Sequence, residues 1–211
     1  MEKVNHITNH DRFAESYDSQ VKEYNSYGHD ALFGMCFEYV KAGDSLLDLG
    51  IGTGLSSIHF AKIGLKITGL DGSAGMLEEC RKKSFAKELK QYDITQVPLP
   101  YSDVTFEHII NCGVYHFFGD LLPMIKDSVR MLKSGGIFAF TVASQENNIS
   151  TDFIEEPTAW GISLFKHSDK YIRQISEDLN LEILKVQKLL VNSGDPNADD
   201  LLFKLIVTRK G

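Results

Sequence analysis

The sequence predicts a doubly wound α/β fold whose seven-stranded, mostly parallel sheet ends in a C-terminal antiparallel hairpin. Three observations predict it. Short apolar runs alternate with amphipathic stretches along most of the 211 residues, the pattern of βα units around a parallel sheet. An apolar run over 46–49 enters a loop with glycines at 50, 52 and 54, and a helical stretch comes after it. Near the C-terminus, apolar runs over 181–191 and 201–208 flank Asn192-Ser-Gly-Asp-Pro-Asn-Ala198, which is rich in turn residues. Strands joined that closely must be antiparallel, because a parallel crossover needs about a dozen residues or more.

Residues 11–41 read as helical, with Asp30 placed to cap a helix that carries Leu32, Phe33, Cys36, Phe37 and Val40. Gly43 and Asp44 break it before a buried strand over 45–49. The glycine loop leads into a helix over 55–62, with Gly64 as its C-cap. A second strand over 66–70 ends at Asp71, and Ser73 is placed to cap a helix with Met76, Leu77 and Cys80 on one side. A third strand spans 89–94, Pro98 and Pro100 break the chain after it, and a fourth strand spans 106–112. Asp120 precedes a helix with Pro123 in its first turn, where proline is tolerated. That helix runs to Lys133, and Gly135-Gly136 turns into a fifth strand over 137–142. Residues 144–167, which include Trp160, carry the least pattern; 168–180 read as a helix before the final hairpin.

Composition narrows the function. With 43% apolar and 24% charged residues the chain reads as an ordinary globular protein. The net charge of −7 is diffuse, whereas nucleic-acid phosphates call for clustered Lys and Arg. The basic run Arg81-Lys82-Lys83, with Lys87 and Lys90, reads as a solvated helix face, so no nucleic-acid partner is expected. Cys36, Cys80 and Cys112 are odd in number and far apart, without metal-ligand spacing, so neither disulfides nor a metal site is expected. Residues 1–11 lack the apolar core of a signal peptide, and no stretch approaches the ~18 apolar residues of a membrane span. A cytoplasmic protein with no membrane partner, working as a monomer or homodimer, is the expectation.

The chemistry concentrates in Leu46-Leu-Asp-Leu-Gly-Ile-Gly-Thr-Gly54. A glycine loop lets a ligand approach the backbone, and the helix start behind it offers unpaired N–H groups to an anionic or carboxylate-bearing ligand. The loop is no P-loop, since no Gly-Lys-Ser/Thr ends it. The dinucleotide spacing fails too, because Leu55 or Ser57 stands where its third glycine belongs. Asp71, some 20 residues on at the end of the second strand, is placed either to cap the next helix or to accept hydrogen bonds from a ribose; beside the glycine loop, ribose is the favoured reading. Asp93 ends the third strand, so Asp48, Asp71 and Asp93 all fall at or near carboxyl ends of strands, where open α/β sheets bind ligands.

Asp48-Leu-Gly-Ile-Gly-Thr-Gly54 resembles the nucleotide-binding motif of class I S-adenosylmethionine-dependent methyltransferases, which share a Rossmann-like fold. Gly69-Leu-Asp-Gly-Ser-Ala-Gly-Met-Leu77, Asp93 with the stretch 98–106, and Leu132-Lys-Ser-Gly-Gly-Ile-Phe138 resemble later segments of that family, and Phe13-Ala-Glu-Ser-Tyr-Asp18 the N-terminal helix of its small-molecule members. The resemblance covers nearly the whole chain and is most specific over 46–142. It implies S-adenosyl-L-methionine as cofactor and one methyltransferase domain over 1–211: a helical lid over 1–44, a cofactor-binding core over 45–143, and a substrate-side loop, helix and hairpin over 144–211. Gly50, Gly52 and Gly54, supported by Asp48, would face the methionine portion. Asp71 would bind the ribose. Asp93 and Ile94 would meet the adenine, Asn111 and Cys112 would line the transfer site, and Tyr17 would approach from the lid. One departure stands out: the family often has a bulky apolar residue after the ribose acid, packed on adenine, where this chain has Gly72; Met76 is the candidate replacement.

The acceptor is less legible, because displacement at a sulfonium mainly needs alignment and exclusion of water. No Asn-Pro-Pro-Tyr motif is present, the corresponding place reading Asn111-Cys-Gly-Val, and no Pro-Cys dipeptide exists. Cys112 is expected to be structural, and so is His116, hemmed by Tyr115, Phe117 and Phe118. Tyr17, Tyr24 and Tyr27 read either as an aromatic lid or as helix packing. The favoured function is methyl transfer to a small molecule. The alternatives are a module that only binds S-adenosylmethionine, or a partner-dependent protein or RNA methyltransferase.

Overall fold

A computed structural model describes residues 6–24, 26–145, 151–158, 161–192 and 200–211. Five strands form its parallel core: β1 (Ser45–Leu49), β2 (Lys66–Asp71), β3 (Glu88–Gln91), β4 (Phe106–Asn111) and β5 (Leu132–Ser144), in spatial order β3-β2-β1-β4-β5. The chain also forms β6 (Phe153–Pro157), β7 (Ser163–His167), β8 (Leu181–Val191) and β9 (Leu201–Lys210). Strand β9 runs antiparallel along β5, and β8 pairs antiparallel with β9 beyond it. The expected seven strands and C-terminal hairpin are therefore present. The hairpin's turn chemistry, together with Trp160, lies outside the described residues.

Apolar runs make these strands because both faces of the sheet are covered. Successive side chains point to opposite faces, so Leu46 and Leu47 enter different cores. On one face Leu47, Ile109, Phe138 and Phe140 pack against α6 (Leu122–Met131) and α7 (Asp169–Asp178). On the other, Leu46, Ile67, Ile110 and Ala139 pack against α3 (Gly28–Cys36), α4 (Ser57–Lys62) and α5 (Ala74–Lys82). Ser73 caps α5 by accepting from the Met76 N–H at 3.1 Å, and Gly64 lies beyond α4 in a left-handed conformation, both as expected. None of the described helices is long and apolar enough to cross a membrane.

Several expectations need correction. The helical stretch at the N-terminus is divided into α1 (His6–Phe13), α2 (Tyr17–Glu23) and α3. Asp30 is no cap: it lies in the first turn of α3 and bridges His59 at 3.0 Å and His29 at 3.3 Å. Helix α4 starts at Ser57, strand β3 stops at Gln91, short of Asp93, and α6 ends at Met131. Gly135 and Gly136 lie inside β5, where its pairing with β4 shifts register between Phe106 and His108. Residues 144–167, read as unpatterned, contain the β6–β7 hairpin. Strand β7 pairs with Ala143 and Ser144 of β5, while Ala143 also faces Phe203 of β9; β7 thus continues the line of β4 beyond its end.

The register shift explains Gly136. A Cβ there would sit 2.2 Å from the Glu107 carbonyl oxygen, which is backbone and cannot step aside. Gly136→Ala should lower stability by about 1–3 kcal/mol, the range for overpacking, and calorimetric melting should show a drop of several degrees.

Candidate active site

The carboxyl ends of β1, β2, β4 and β5 open into one cavity of about 770 Å³, roofed by α1 and α2. Its floor is the turn after β1. There the Gly50 and Ile51 N–H groups both donate to the Leu70 carbonyl, at 2.7 and 2.9 Å, and so bend the chain back over β2. Gly50 has φ +77°, and a Cβ on it would lie 2.4 Å from Val114 Cγ2. Gly52, by contrast, has open space beside it, and its N–H donates to Asp71 Oδ2 at 2.7 Å. Asp71 Oδ1 accepts from the Ser73 N–H at 2.8 Å. The Asp71 carboxylate therefore ties the glycine loop to the start of α5, and each of its oxygens retains a lone pair for a further donor.

Nine of the twelve residues singled out from the sequence line this cavity: Tyr17, Gly50, Gly52, Asp71, Gly72 and Met76, with Asp93, Ile94 and Cys112. Asp48, Gly54 and Asn111 are not among the lining residues, and each has a physical reason. Asp48 is buried behind the loop, its Oδ2 accepting from the Ser57 hydroxyl at 2.6 Å, while Oδ1 has no partner among the described residues. Gly54 turns toward α5, where a Cβ would meet Phe85 at 2.5 Å and Cys80 at 2.9 Å. Asn111 spends its Nδ2 on the Leu49 carbonyl at 2.7 Å and so fixes the ends of β1 and β4.

Residues of the roof escaped the sequence reading. Asp11 accepts from the Ser73 hydroxyl and from the Gly75 N–H, the latter at 2.9 Å. Asp18 accepts from the Thr53 hydroxyl and from Lys83 Nζ, each at 2.5 Å. From the same two helices His6, Ile7, His10 and Tyr17 reach the cavity. Tyr24 lines it as well, whereas Tyr27 is exposed and lies outside it. The fastenings join residues more than thirty positions apart, beyond any local pattern.

The chemistry of the lining divides the cavity into two compartments. One holds Gly52, Asp71, Gly72, Met76, Asp93 and Ile94. Asp93 Oδ1 accepts from the Thr95 N–H at 2.9 Å and hydroxyl at 2.8 Å, and no donor to Oδ2 exists among the described residues. Carboxylate acceptors, an open backbone cradle and apolar side chains suit the sugar and ring of a nucleoside. No Lys or Arg is present among the described lining residues, so a phosphate chain would find no permanently charged partner there. The other compartment holds His116, Phe117, Thr141, Phe203 and Leu205. Burial, with His10, His167 and His6 nearby, pushes the His116 imidazole down to about 3, so it is neutral at pH 7, and its Nδ1 is buried without a partner among the described residues. Burial likewise pushes Tyr17 and Cys112 up to about 12, leaving a neutral phenol and an unreactive thiol.

Residues 47–140 match a family model described as a methyltransferase domain. A malonyl-acyl-carrier-protein O-methyltransferase of Serratia marcescens is 32% identical over 130 residues, 62% of this chain and 49% of that protein. A demethylmenaquinone methyltransferase of Tropheryma whipplei is 32% identical over 97 residues, 46% of this chain and 41% of that one. The chain thus spans about half the length of these curated relatives. Among solved structures, a Haloferax volcanii protein in complex with the Trm112 methyltransferase activator superposes with a TM-score of 0.73 at 19% identity, over 97% of this chain and 98% of that one, a likeness of fold.

Asp48 gives the site a pH signature. Burial, with Asp71 nearby, pushes its carboxyl up to about 7 despite the Ser57 hydrogen bond, against an unperturbed value of 3.8. Between those values the folded state holds a proton that the unfolded state has released, so this residue's contribution to stability falls as pH rises through the window and is fully lost above it. Asp48→Asn, which keeps the shape without the charge, should melt higher than wild type at pH 8, with the gap closing toward pH 4. Thermal unfolding across that range is the check, and a pH-independent difference would contradict it.

Proposed function

We propose that this chain, whose residues 47–140 match a methyltransferase domain, is a class I S-adenosylmethionine-dependent methyltransferase whose cavity binds S-adenosylmethionine and aligns a small, uncharged acceptor for methyl transfer. The observation that carries this reading is the Asp71 carboxylate at the cavity rim, set between an open glycine cradle and an apolar slot, with no Lys or Arg among the described lining residues. S-adenosylmethionine, when bound, supplies a methyl group on a sulfonium for in-line displacement by an acceptor nucleophile. The chain's own part is binding and alignment. Asp71 would accept from ribose hydroxyls, Asp93 Oδ2 from the ring amino group, and Met76 and Ile94 would flank the ring. The backbone at Gly50 and Gly52 would take the amino-acid portion. Asp48 and Asn111 would act through the loop and strand ends that they brace, and Gly54 through packing.

The same lining bears on the acceptor. The two curated relatives carry names that imply different acceptors, one a malonyl thioester with a free carboxylate, the other a quinone precursor. A carboxylate would meet no Lys or Arg among the described lining residues, whereas His116, Phe117, Phe203 and Leu205 suit a neutral, ring-bearing molecule. An acceptor compartment inside the roofed cavity also favours a small molecule over a macromolecule docked outside, and favours an enzyme over a module that only binds the cofactor. We read α1 and α2 as the lid that keeps water out of it.

Thermal shift tests the cofactor. S-adenosylhomocysteine at about a hundredfold over its dissociation constant should stabilise the protein by ~2.7 kcal/mol, and NADH should not. A shift with NADH alone would refute the assignment. A second measurement concerns His116. A neutral imidazole aligns an acceptor but takes up a proton poorly, so His116→Gln should cost less than about tenfold in turnover, below the 10²–10⁴-fold cost of losing a general base. Turnover with an acceptor found by screening metabolites for label transfer checks this. A larger loss at unchanged cofactor affinity and melting temperature would make His116 the base.

A further inference from the structure

We infer that Ile7, on the roof helix α1, forms the wall against which the flat ring of the bound nucleoside packs, so that the ring subsite is complete only while α1 is docked. The inference rests on the reading of the cavity as an S-adenosylmethionine site. Gly72, next after Asp71, offers no side chain to that subsite. A Cβ built on it would lie 2.6 Å from Ile7 Cδ1 and 3.0 Å from Cγ1, so Ile7 fills the space that a side chain at position 72 would take. Ile7, Gly72, Met76 and Ile94 line the same cavity, Met76 and Ile94 being almost fully buried. They form an apolar slot between two hydrogen-bond acceptors: Asp71 on the sugar side and Asp93 at the far end. A planar, apolar ring with an amino donor matches that slot; a charged group does not.

Asp11 makes the arrangement specific. It sits one helical turn beyond Ile7 and accepts from the Ser73 hydroxyl and the Gly75 N–H at the start of α5. Helix α1 cannot lift Ile7 away from Gly72 without breaking those bonds, and α1 docked in this way holds Ile7 over the slot. Ligand affinity and roof docking are then two readings of one equilibrium.

The test exchanges the side chain between the two positions. Calorimetry would measure S-adenosylhomocysteine and adenosine binding to wild type, Ile7→Ala, Gly72→Ile and the double variant, with melting curves to confirm folding and hydrogen exchange over residues 6–13. Ile7→Ala should weaken both ligands by a similar factor, about tenfold, because the ring is common to them. Gly72→Ile alone should collide with Ile7, weaken both ligands and speed exchange in α1. The double variant should recover affinity to within about threefold of wild type, and ligand should no longer slow exchange in α1. Unchanged or tighter binding by Ile7→Ala, or a double variant that loses the sum of the two single losses, would overturn the inference while leaving the cofactor assignment intact. Wild-type protein that binds neither S-adenosylmethionine nor S-adenosylhomocysteine would overturn the assignment, and the inference with it.

Discussion

The site depends on one carboxylate. Asp71 accepts from the Gly52 N–H on one oxygen and from the Ser73 N–H on the other, which joins the turn after β1 to the start of α5. Burial raises the pKa of this group, and the two N–H bonds work against that shift by favouring its charged form. The other restraints attach to what Asp71 joins. Ser73 caps α5 and takes its own hydrogen bond to Asp11, while Asp18 holds Thr53 in the loop. The glycine turn, the helix start and the roof thus form one hydrogen-bonded unit around the rim of β2.

Much of this was legible in the sequence, and the reason is local. The runs over 46–49, 66–70 and 106–110 are rich in Leu and Ile because their strands are covered on both faces, and such runs need no knowledge of partners. The glycine turn and Asp71 were legible because a strand–glycine–helix junction with an acid at the next strand end is itself a chemical pattern. The β6–β7 hairpin was not. Its strands, Phe153–Pro157 and Ser163–His167, are short, mixed in polarity and half exposed, and only the second pairs with β5, at two residues. Nor could the sequence separate the glycines by role. Gly52 faces open space and Gly54 faces Phe85, a difference made by a side chain some thirty residues further along.

The departure at Gly72 shows the same boundary from the other side. Sequence spacing offered Met76 as the residue to replace a missing apolar side chain, and Met76 does line the cavity. The contact that fills the gap comes from Ile7, sixty-five positions earlier, on a helix that buries no residue of its own fully. Periodicity reports what a helix buries in a core; it says little about a helix whose business is to cover a hole.

The fork in the sheet at Ala143 has a mechanical consequence. There β5 is paired on both edges, with β7 on one side and β9 on the other, so the inner end of the cavity is framed by three hydrogen-bonded strands. The roof is held instead by a few side-chain bonds, one of them a partly exposed Asp18–Lys83 ion pair. Breaking a strand ladder is cooperative, whereas side-chain fastenings release one at a time. The Asp18–Lys83 fastening is therefore weakened by salt, whereas the strand ladders at Ala143 are not.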